Sequence, residues 1–560
     1  VSGRFFVGGA IGADVVALSK DATLNHLTVS NSLGTISADG FCGGLIGYHR
    51  TYTDAQLNGQ TLETVLEREL ASGASTGLLP KINTAQGNIP TAVTATQNMH
   101  LLTITNAANT GASNDMTIAA GACAGGIVGA AEDNSPLLIT NCLNKGRFRN
   151  AENSALKNGV NLISYLSASG YSDAANTLSA QEGSDFRAHI VGGIIGVNGR
   201  THVIDRCENT GTMNGLTALG GVVGLNKGLV LNCTLAGSMG SATQDCVGGI
   251  VSLNVGSGGS GDTITYNDTQ YARGTVTACS TKSGTTVTGR RNVGGVAGIN
   301  LNGGQLSANT CSANVTGAMN VGGVTGANAG TLTITGAVSD ASRTVRSTGT
   351  AAGGLIGVNM TSGRLNTQVK GTAIIAADSQ LTVRGAEKVG GIVGINRGTL
   401  SGTASALLVS EARLVRATGG AAGGAVGAQE GSASLSYIEN RCASVIADKN
   451  TAGGIVAENA AKSTVSQCST TGGTISGSDG YASGIAAENR GTISTCTVAN
   501  TKISSLGVQE SGAVTAVNHP GAVIENCTPR KGVTLSGEAT VVGALTGMNY
   551  GTVHRTDDAV

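Results

Sequence analysis

Gly390–Gly398 reads GGIVGINRG, and copies of it recur along the whole chain. Close copies are Gly192–Gly199 (GGIIGVNG), Gly220–Gly228 (GGVVGLNKG), Gly294–Asn300 (GGVAGIN), Gly322–Gly330 (GGVTGANAG) and Gly353–Asn359 (GGLIGVN). Looser copies open at Gly423, Gly453, Ser483, Gly512 and Gly543, and four more at Gly8, Gly43, Gly125 and Gly248. Starts at 192, 220 and 248 are 28 residues apart, and those at 423, 453, 483, 512 and 543 are 30, 30, 29 and 31 apart. A fixed period in this range marks a repeat architecture and overrides domain counting by length.

Composition agrees. Of 560 residues 88 are Gly, only 2% are aromatic and none is Trp. Such a chain fills a thin core with Ala, Val, Ile and Leu rather than a thick one with large rings. Pro is scarce and no G-X-Y period exists, which excludes collagen. The 34 basic and 34 acidic residues cancel, no Lys/Arg run forms a local patch, and no nucleic-acid partner is expected. No apolar stretch is long enough for a membrane span. The chain opens at Val1 on a repeat and ends shortly after one, which reads as a piece of a longer protein.

Within the motif the third position is aliphatic or Ala, the fifth is small, and the seventh is Asn in most copies: Asn198, Asn226, Asn254, Asn300, Asn328, Asn359, Asn396, Asn459, Asn489, Asn518 and Asn549. Strand alternation puts positions three, five and seven on one inward face. Position six admits Tyr48, Glu458 and Glu488 and faces water. The fourth position is also aliphatic, which strains simple alternation. Two further strands follow in each period. One is a Gly-Thr-aliphatic run such as Gly398-Thr399-Leu400; the other is a short run such as Val383-Arg384 or Val415-Arg416. Three strands in about 28–31 residues predict one coil of an all-β, right-handed, three-sided parallel β-helix (a β-solenoid). Stacked Asn side chains form a ladder along its axis. About fifteen coils, about 4.8 Å apart, give a single elongated solenoid over residues 1–560, on the order of 70 Å long. Open coil ends predict stacking onto other copies or flanking repeats.

Three gaps break the period, predicting insertions at about 50–110, 132–185 and 256–290 as side loops or small helical decorations. Thr61–Leu70 places Leu62, Val65, Leu66 and Leu70 on one helical face with Thr61 as cap. Ala155–Ser169 reads as a second short helix, and Gly256–Asp262 as a polar loop. Such insertions are where a surface ligand would be held, Thr51–His100 first among them.

Candidate chemistry is sparse. Cys207, Cys468 and Cys527 lie 15 residues after a motif start, and Cys233 and Cys496 lie 13 after, so Cys207 should stack near Cys233, and Cys468 near Cys496 and Cys527. They read as small core residues, with disulfides between coils as the alternative open to an exported protein. Cys42, Cys123 and Cys246 precede motifs. No C-x-x-C or H-E-x-x-H occurs, and G-x-x-x-x-G-K-[ST] is missing; no metal or cofactor is expected. Gly8–Asp14 (GGAIGAD) has one residue too many for a calcium nonapeptide, leaving Asp14 a cap. An enzymatic alternative, a polysaccharide lyase or hydrolase, would use Glu458 and Glu488 at matching positions of neighbouring coils. Arg291, Arg397 and Arg490 sit near turns and form no evident constellation with them.

The repeated G-[GA]-[LIV]-x-G-x-N resembles the Glug motif, and Gly44-Leu45-Ile46-Gly47 and Gly354-Leu355-Ile356-Gly357 match its core literally. The resemblance covers nearly the whole chain outside the insertions. It implies a bacterial secreted or cell-surface protein, adhesin-like or akin to the non-catalytic regions of IgA-specific metallopeptidases. It carries no catalytic residue over. The first three copies depart at the Asn position, with Asp14, His49 and Ala131. The expectation is a non-enzymatic extracellular solenoid serving as stalk, adhesin or filament element.

Overall fold

The computed structural model describes residues 2–554 apart from 4–5, 18–20, 30–33, 53–57, 62–63, 65–100, 111–116, 132, 134, 151–158, 215–216, 260, 337, 339–341, 368–373 and 508. The chain divides into two compact units, Val1–Val287 with Val296–Leu306, and Thr288–Gly295 with Ser307–Val560. Each is an all-β parallel β-helix. Among the described residues the first holds seven motif strands and the second eight. Register is exact at the motif in both: Ile195 faces Val223 and Val223 faces Val251 in the first, while Ile356 faces Val393 and Val393 faces Val426 in the second.

A winding is cut into more pieces than three. Lys388–Gly390 ends at the first Gly of the pair, the chain bends through Gly391 and Ile392, and Val393–Asn396 begins a second strand. Thr399–Ser401 follows, then Leu408–Ser410, then Leu414–Ala417, each paired in parallel with its counterpart in the next winding. The bend resolves the strain at position four. Ile392 closes one side of the corner and Val393 opens the other, so both are fully buried.

The glycines at the bend answer to close approach rather than to an unusual φ. A Cβ on Gly390 would lie 1.9 Å from the Val393 carbonyl oxygen, and one on Gly391 would lie 2.1 Å from that of Gly424 in the next winding. The Gly at position five serves the same end: a Cβ on Gly394 would stand 2.9 Å from the Ala352 nitrogen. The strands on the two sides of the corner thus pack backbone against backbone. Inward side chains beyond the corner form the core: Leu400, Leu435, Val465 and Ile493 from the Gly-Thr strand, and Val383, Val415 and Val445 from the last strand, none more than 1% exposed.

The repeat is looser than 28–31 residues. Motif Asn residues in adjacent windings are separated by 28 residues at Asn198–Asn226 but by 37 at Asn359–Asn396 and 33 at Asn396–Gln429, because the connections ahead of the last strand vary in length. The insertions are narrower than 50–110, 132–185 and 256–290. Leu102–Thr105, Leu137–Thr140 and Thr275–Thr277 all lie inside those bounds yet are regular winding strands. What projects from the second is a helical pair, α1 (Leu162–Ala168) and α2 (Ser172–Glu182), closed at its base by Val160–Asn161 against Arg187–Ala188. Helix α1 overlaps the expected Ala155–Ser169, with Asn161 capping it through Ser164 N. In the third, the described residues of 256–262 form the expected loop, and a β-hairpin follows it, Thr263–Tyr266 against Thr269–Ala272, turning on Asn267 and Asp268 with φ of 47° and 59°. Two positive φ values at the tip are what a tight hairpin turn requires. In the first insertion Thr61 Oγ1 accepts from Thr64 N at 3.3 Å, and the rest of the expected helix, with Leu62, Val65, Leu66 and Leu70, lies outside the described residues.

Overpacking the corner should be costly. Gly391→Ala is expected to lower the stability of its unit by about 1–3 kcal/mol or more. Gly336→Ala, where a Cβ meets nothing within 4 Å, should stay within about 0.5 kcal/mol. Denaturant unfolding of the two variants checks the ranking.

Candidate functional site

The motif Asn residues end the strand after the corner and point inward. In the first unit Asn198 Nδ2 donates to Asn226 Oδ1 at 2.7 Å, Asn226 to Asn254 at 2.7 Å and Asn254 to Asn300 at 2.9 Å. In the second Asn328 donates to Asn359 (2.8 Å) and Asn359 to Asn396 (2.9 Å). Gln429 then takes the place of Asn: it accepts from Asn396 at 3.1 Å and donates to Asn459 at 2.9 Å. The chain of amides continues through Asn489 and Asn518 to Asn549 at 2.7, 2.9 and 2.7 Å. Several amides spend their remaining valences locally, while Asn198 Oδ1, next to the Ala131 break in the column, has no partner among the described residues. Asn226 Oδ1 accepts from Gly228 N, Asn396 Oδ1 from Gly398 N and Asn489 Oδ1 from Gly491 N, which explains the recurrent Asn-x-Gly.

Two of the three departures at the first copies, Asp14 and His49, are polar replacements. Asp14 and His49 occupy the ladder column in register, with Asp14 Oδ2 2.7 Å from His49 Nδ1, and His49 Nε2 lies 3.3 Å from Thr51 Oγ1. His49 and Thr51 are buried, so this carboxylate–imidazole–hydroxyl chain is closed to substrate and continues the axial bonding instead. Ala131 interrupts the column with a methyl group.

A second ladder escaped the sequence reading. Asn109 donates to Asn144 at 2.9 Å and Asn144 to Asn209 at 2.8 Å, on another sheet of the first unit. The signal was present as Asn109-Thr-Gly, Asn144-Lys-Gly and Asn209-Thr-Gly, the same Asn-x-Gly signature without the Gly pair in front.

The cysteines form columns of reduced thiols. Cys207 N–H donates to Cys233 Sγ and Cys233 N–H to Cys279 Sγ, both at 3.4 Å; Cys142 adjoins Cys207 at the other end. In the second unit Cys496 lies between Cys468 and Cys527. Each Sγ caps the carbonyl two residues earlier, as Cys233 does that of Leu231 at 3.2 Å and Cys468 that of Ser466 at 3.1 Å. The residue before each takes a positive φ: Arg206, Asn232, Gln467, Thr495 and Asn526 between 50° and 54°. The Cys therefore marks a sharp left-handed bend. All twelve Cys are free and buried, Cys42, Cys123 and Cys246 among them. Burial pushes the thiols of Cys42 and Cys442 up to about 12 and raises those of Cys207 and Cys279 as well.

Comparison with protein families, curated proteins and solved structures gives no match. The geometry alone bears on the remaining candidates.

Glu458 and Glu488 are register partners on neighbouring windings and face outward. Each already has a cation. Lys388 Nζ lies 2.6 Å from Glu458, and Glu488 pairs with Arg490 at 2.6 Å and with His519 at 3.2 Å. Arg490 thus does join them, against the expectation. Arg397 pairs with Glu430 at 2.7 Å, and Arg291 opens the strand Arg291–Gly294, away from the pair in sequence and in sheet.

The helical insertion covers a fully buried ion pair. Lys227, the residue after the ladder Asn in GGVVGLNKG, contacts Asp133 at 2.5 Å and donates to the Tyr165 hydroxyl from α1. Lys227 is 0% exposed and Asp133 2%. Burial raises Tyr165 first of all, with the Asp133 charge adding to it, so the phenol stays protonated and can accept from the ammonium. Arg200 and Arg273 clamp Asp262 beside it at 3.1 and 2.7 Å. The hairpin next to these residues lays Ile264, Tyr266 and Tyr271 over Val203, Leu229 and Leu231, the outward aliphatics of two windings. Both projections act as covers over apolar or charged outer faces.

Two outcomes follow. Asn459→Leu removes two axial hydrogen bonds, from Gln429 Nε2 and to Asn489 Oδ1, at about 0.5–1.5 kcal/mol each, with the Thr464 carbonyl and Gly491 N still serving those two groups; Asn459→Gln should recover part of the loss, as Gln429 is accommodated in the same column. Thermal unfolding of both variants checks this. The thiols set an alkaline limit. In the unfolded chain Cys42 and Cys442 ionise near 9.0, whereas the folded chain holds their protons up to about 12. Their contribution is complete below pH 9 and is lost as pH rises toward 12. Unfolding midpoints should fall across that window, and a thiol reagent at pH 8 should label the native protein only on unfolding.

Proposed function

We propose that the chain is a non-enzymatic β-solenoid of a bacterial cell-surface or secreted protein, serving as a stalk, adhesin or filament element. The observation that carries this is where the reactive side chains go. Amides run in axial ladders, thiols cap carbonyls inside the windings, and the His49 and Thr51 members of the Asp14–His49–Thr51 chain are buried. Their chemistry is consumed in holding windings in register. The resemblance to Glug repeats supports export, and a thin, hydrogen-bonded core suits a load-bearing scaffold whose stability is shared among neighbouring repeats.

The rival reading, a polysaccharide-active enzyme, draws on the register pair Glu458–Glu488. Its carboxylates are engaged by Lys388, Arg490 and His519, so neither is left unpaired to face a substrate. On incubation with uronate-rich polysaccharides the protein should release no new reducing ends or unsaturated products. Turnover that drops about tenfold or more in Glu488→Gln would overturn the scaffold reading. Protease added to intact cells that make the protein should cleave it; full protection would overturn surface display.

A further inference from the structure

The sequence holds no run of Lys or Arg, but winding assembles one. On the last strand of three successive windings in the second unit, Arg346 faces Arg384 and Arg384 faces Arg416. The alternate residues Val345, Val383 and Val415 point into the core and are fully buried, so the arginines point out. Arg416 is engaged by Asp448 at 3.0 Å. Arg346 and Arg384 are exposed and form no ion pair among the described residues. Arg413 reaches back one winding to donate to Thr382 Oγ1 at 3.1 Å, bringing a third guanidinium without a carboxylate partner beside them. Thr344 and Thr382 are register partners in the adjoining outward column. Arg346, Arg384, Arg413, Thr344 and Thr382 line an open groove of about 620 Å³ whose lining holds no carboxylate. Of the acids on neighbouring segments, Asp378 is held by Arg343, Glu411 by Arg441 and Asp448 by Arg416, while exposed Glu387 follows the lining residue Ala386.

Like charges directly opposite one another in a sheet are destabilising. Arg346 and Arg384, about one strand spacing (about 4.8 Å) apart, form such a pair and stand uncompensated. Guanidinium groups bind sulfate and carboxylate by two parallel hydrogen bonds. The row follows the winding axis, so it suits a linear polymer bearing anions at intervals, with the Thr344, Thr348 and Thr418 hydroxyls on the lining for neutral hydroxyl groups. Single-stranded nucleic acid is a poorer fit, because it calls for aromatic stacking platforms and the groove lining has none.

We propose that this groove binds an anionic polysaccharide, one carrying sulfate or carboxylate groups, along the Arg346–Arg384 row. The inference rests on the groove alone and is separate from the Glu458–Glu488 face. It is tested on the full chain by calorimetry with heparin as the sulfated probe and polygalacturonate as the carboxylated one, with oligo-dT and inorganic sulfate as further arms. The wild-type chain should bind at least one of the two glycans. Arg346→Ser with Arg384→Ser should weaken that binding about tenfold or more, and the corresponding Lys pair by less, since charge persists while the planar fork is lost. Arg441→Ser, on a cation already paired with Glu439, should change it less than about twofold. Both groove arginines are exposed and oppose one another, so the double variant should unfold at or slightly above the wild-type midpoint, and Arg346→Gln with Arg384→Gln must reproduce the loss. Absence of glycan binding, equal binding by the double variants, tighter binding of oligo-dT, or binding of inorganic sulfate alone would each overturn the proposal.

Discussion

A buried side-chain amide must find partners for two donors and for its carbonyl oxygen, and in this protein it finds them in the windings on either side. That constraint fixes the rest. A neutral hydrogen bond contributes only about 1 kcal/mol net, but leaving its partners unmade in the core costs more than making it gains. Slipping one winding by a residue would turn a whole set of side chains to the other face and orphan the amide above and below. The ladder from Asn328 to Asn549 therefore specifies register more than it adds stability. Gln429 shows the tolerance of the column: one extra methylene is absorbed and both bonds survive.

The Gly pair is the geometric partner of the ladder. Because Gly390 and Gly391 have no Cβ, the chain doubles back tightly enough for two strands to touch through their backbones, and the ladder Asn always arrives at the same place. In the second unit this core buries aliphatics without a large ring among the described residues; in the first it also takes in Phe41, Phe148 and Tyr48, the last buried rather than facing water as expected. Each winding also depends on its neighbours throughout, since no winding buries its own aliphatic layer alone. The helical pair and the hairpin belong to the same logic, covering Lys227–Asp133 and the outward aliphatics Leu229 and Leu231.

Much of this was legible because periodicity converts sequence spacing into spatial columns. The Gly pair, the Asn positions, the Gly-Thr-aliphatic strand, and the Cys207–Cys233 and Cys468–Cys496–Cys527 columns all recur at matching offsets. The limits of the insertions were not legible, since Leu102–Thr105 and Leu137–Thr140 are winding strands that carry no motif of their own. Nor was the second ladder through Asn144, whose Asn-x-Gly has no Gly pair ahead of it. The arginine groove was hidden for a further reason. Arg346, Arg384 and Arg413 are separated by windings of unequal length, so neither a charge run nor a fixed offset reveals them. Lys227 was unreadable for the opposite reason: its burial depends on a helix supplied by a distant insertion.

The account stands on the axial amide ladder, and hydrogen exchange of the Asn side-chain Nδ2 protons in the folded protein tests it most directly. If the windings are stacked as described, the amides of Asn226, Asn359, Asn459 and Asn489 exchange as slowly as the backbone amides of the strands around them, and Asn459→Leu speeds the exchange of the Gln429 Nε2 protons that donate to it. Exchange of those four side chains at the rate of free, solvated amides would contradict the stacking and everything built on it.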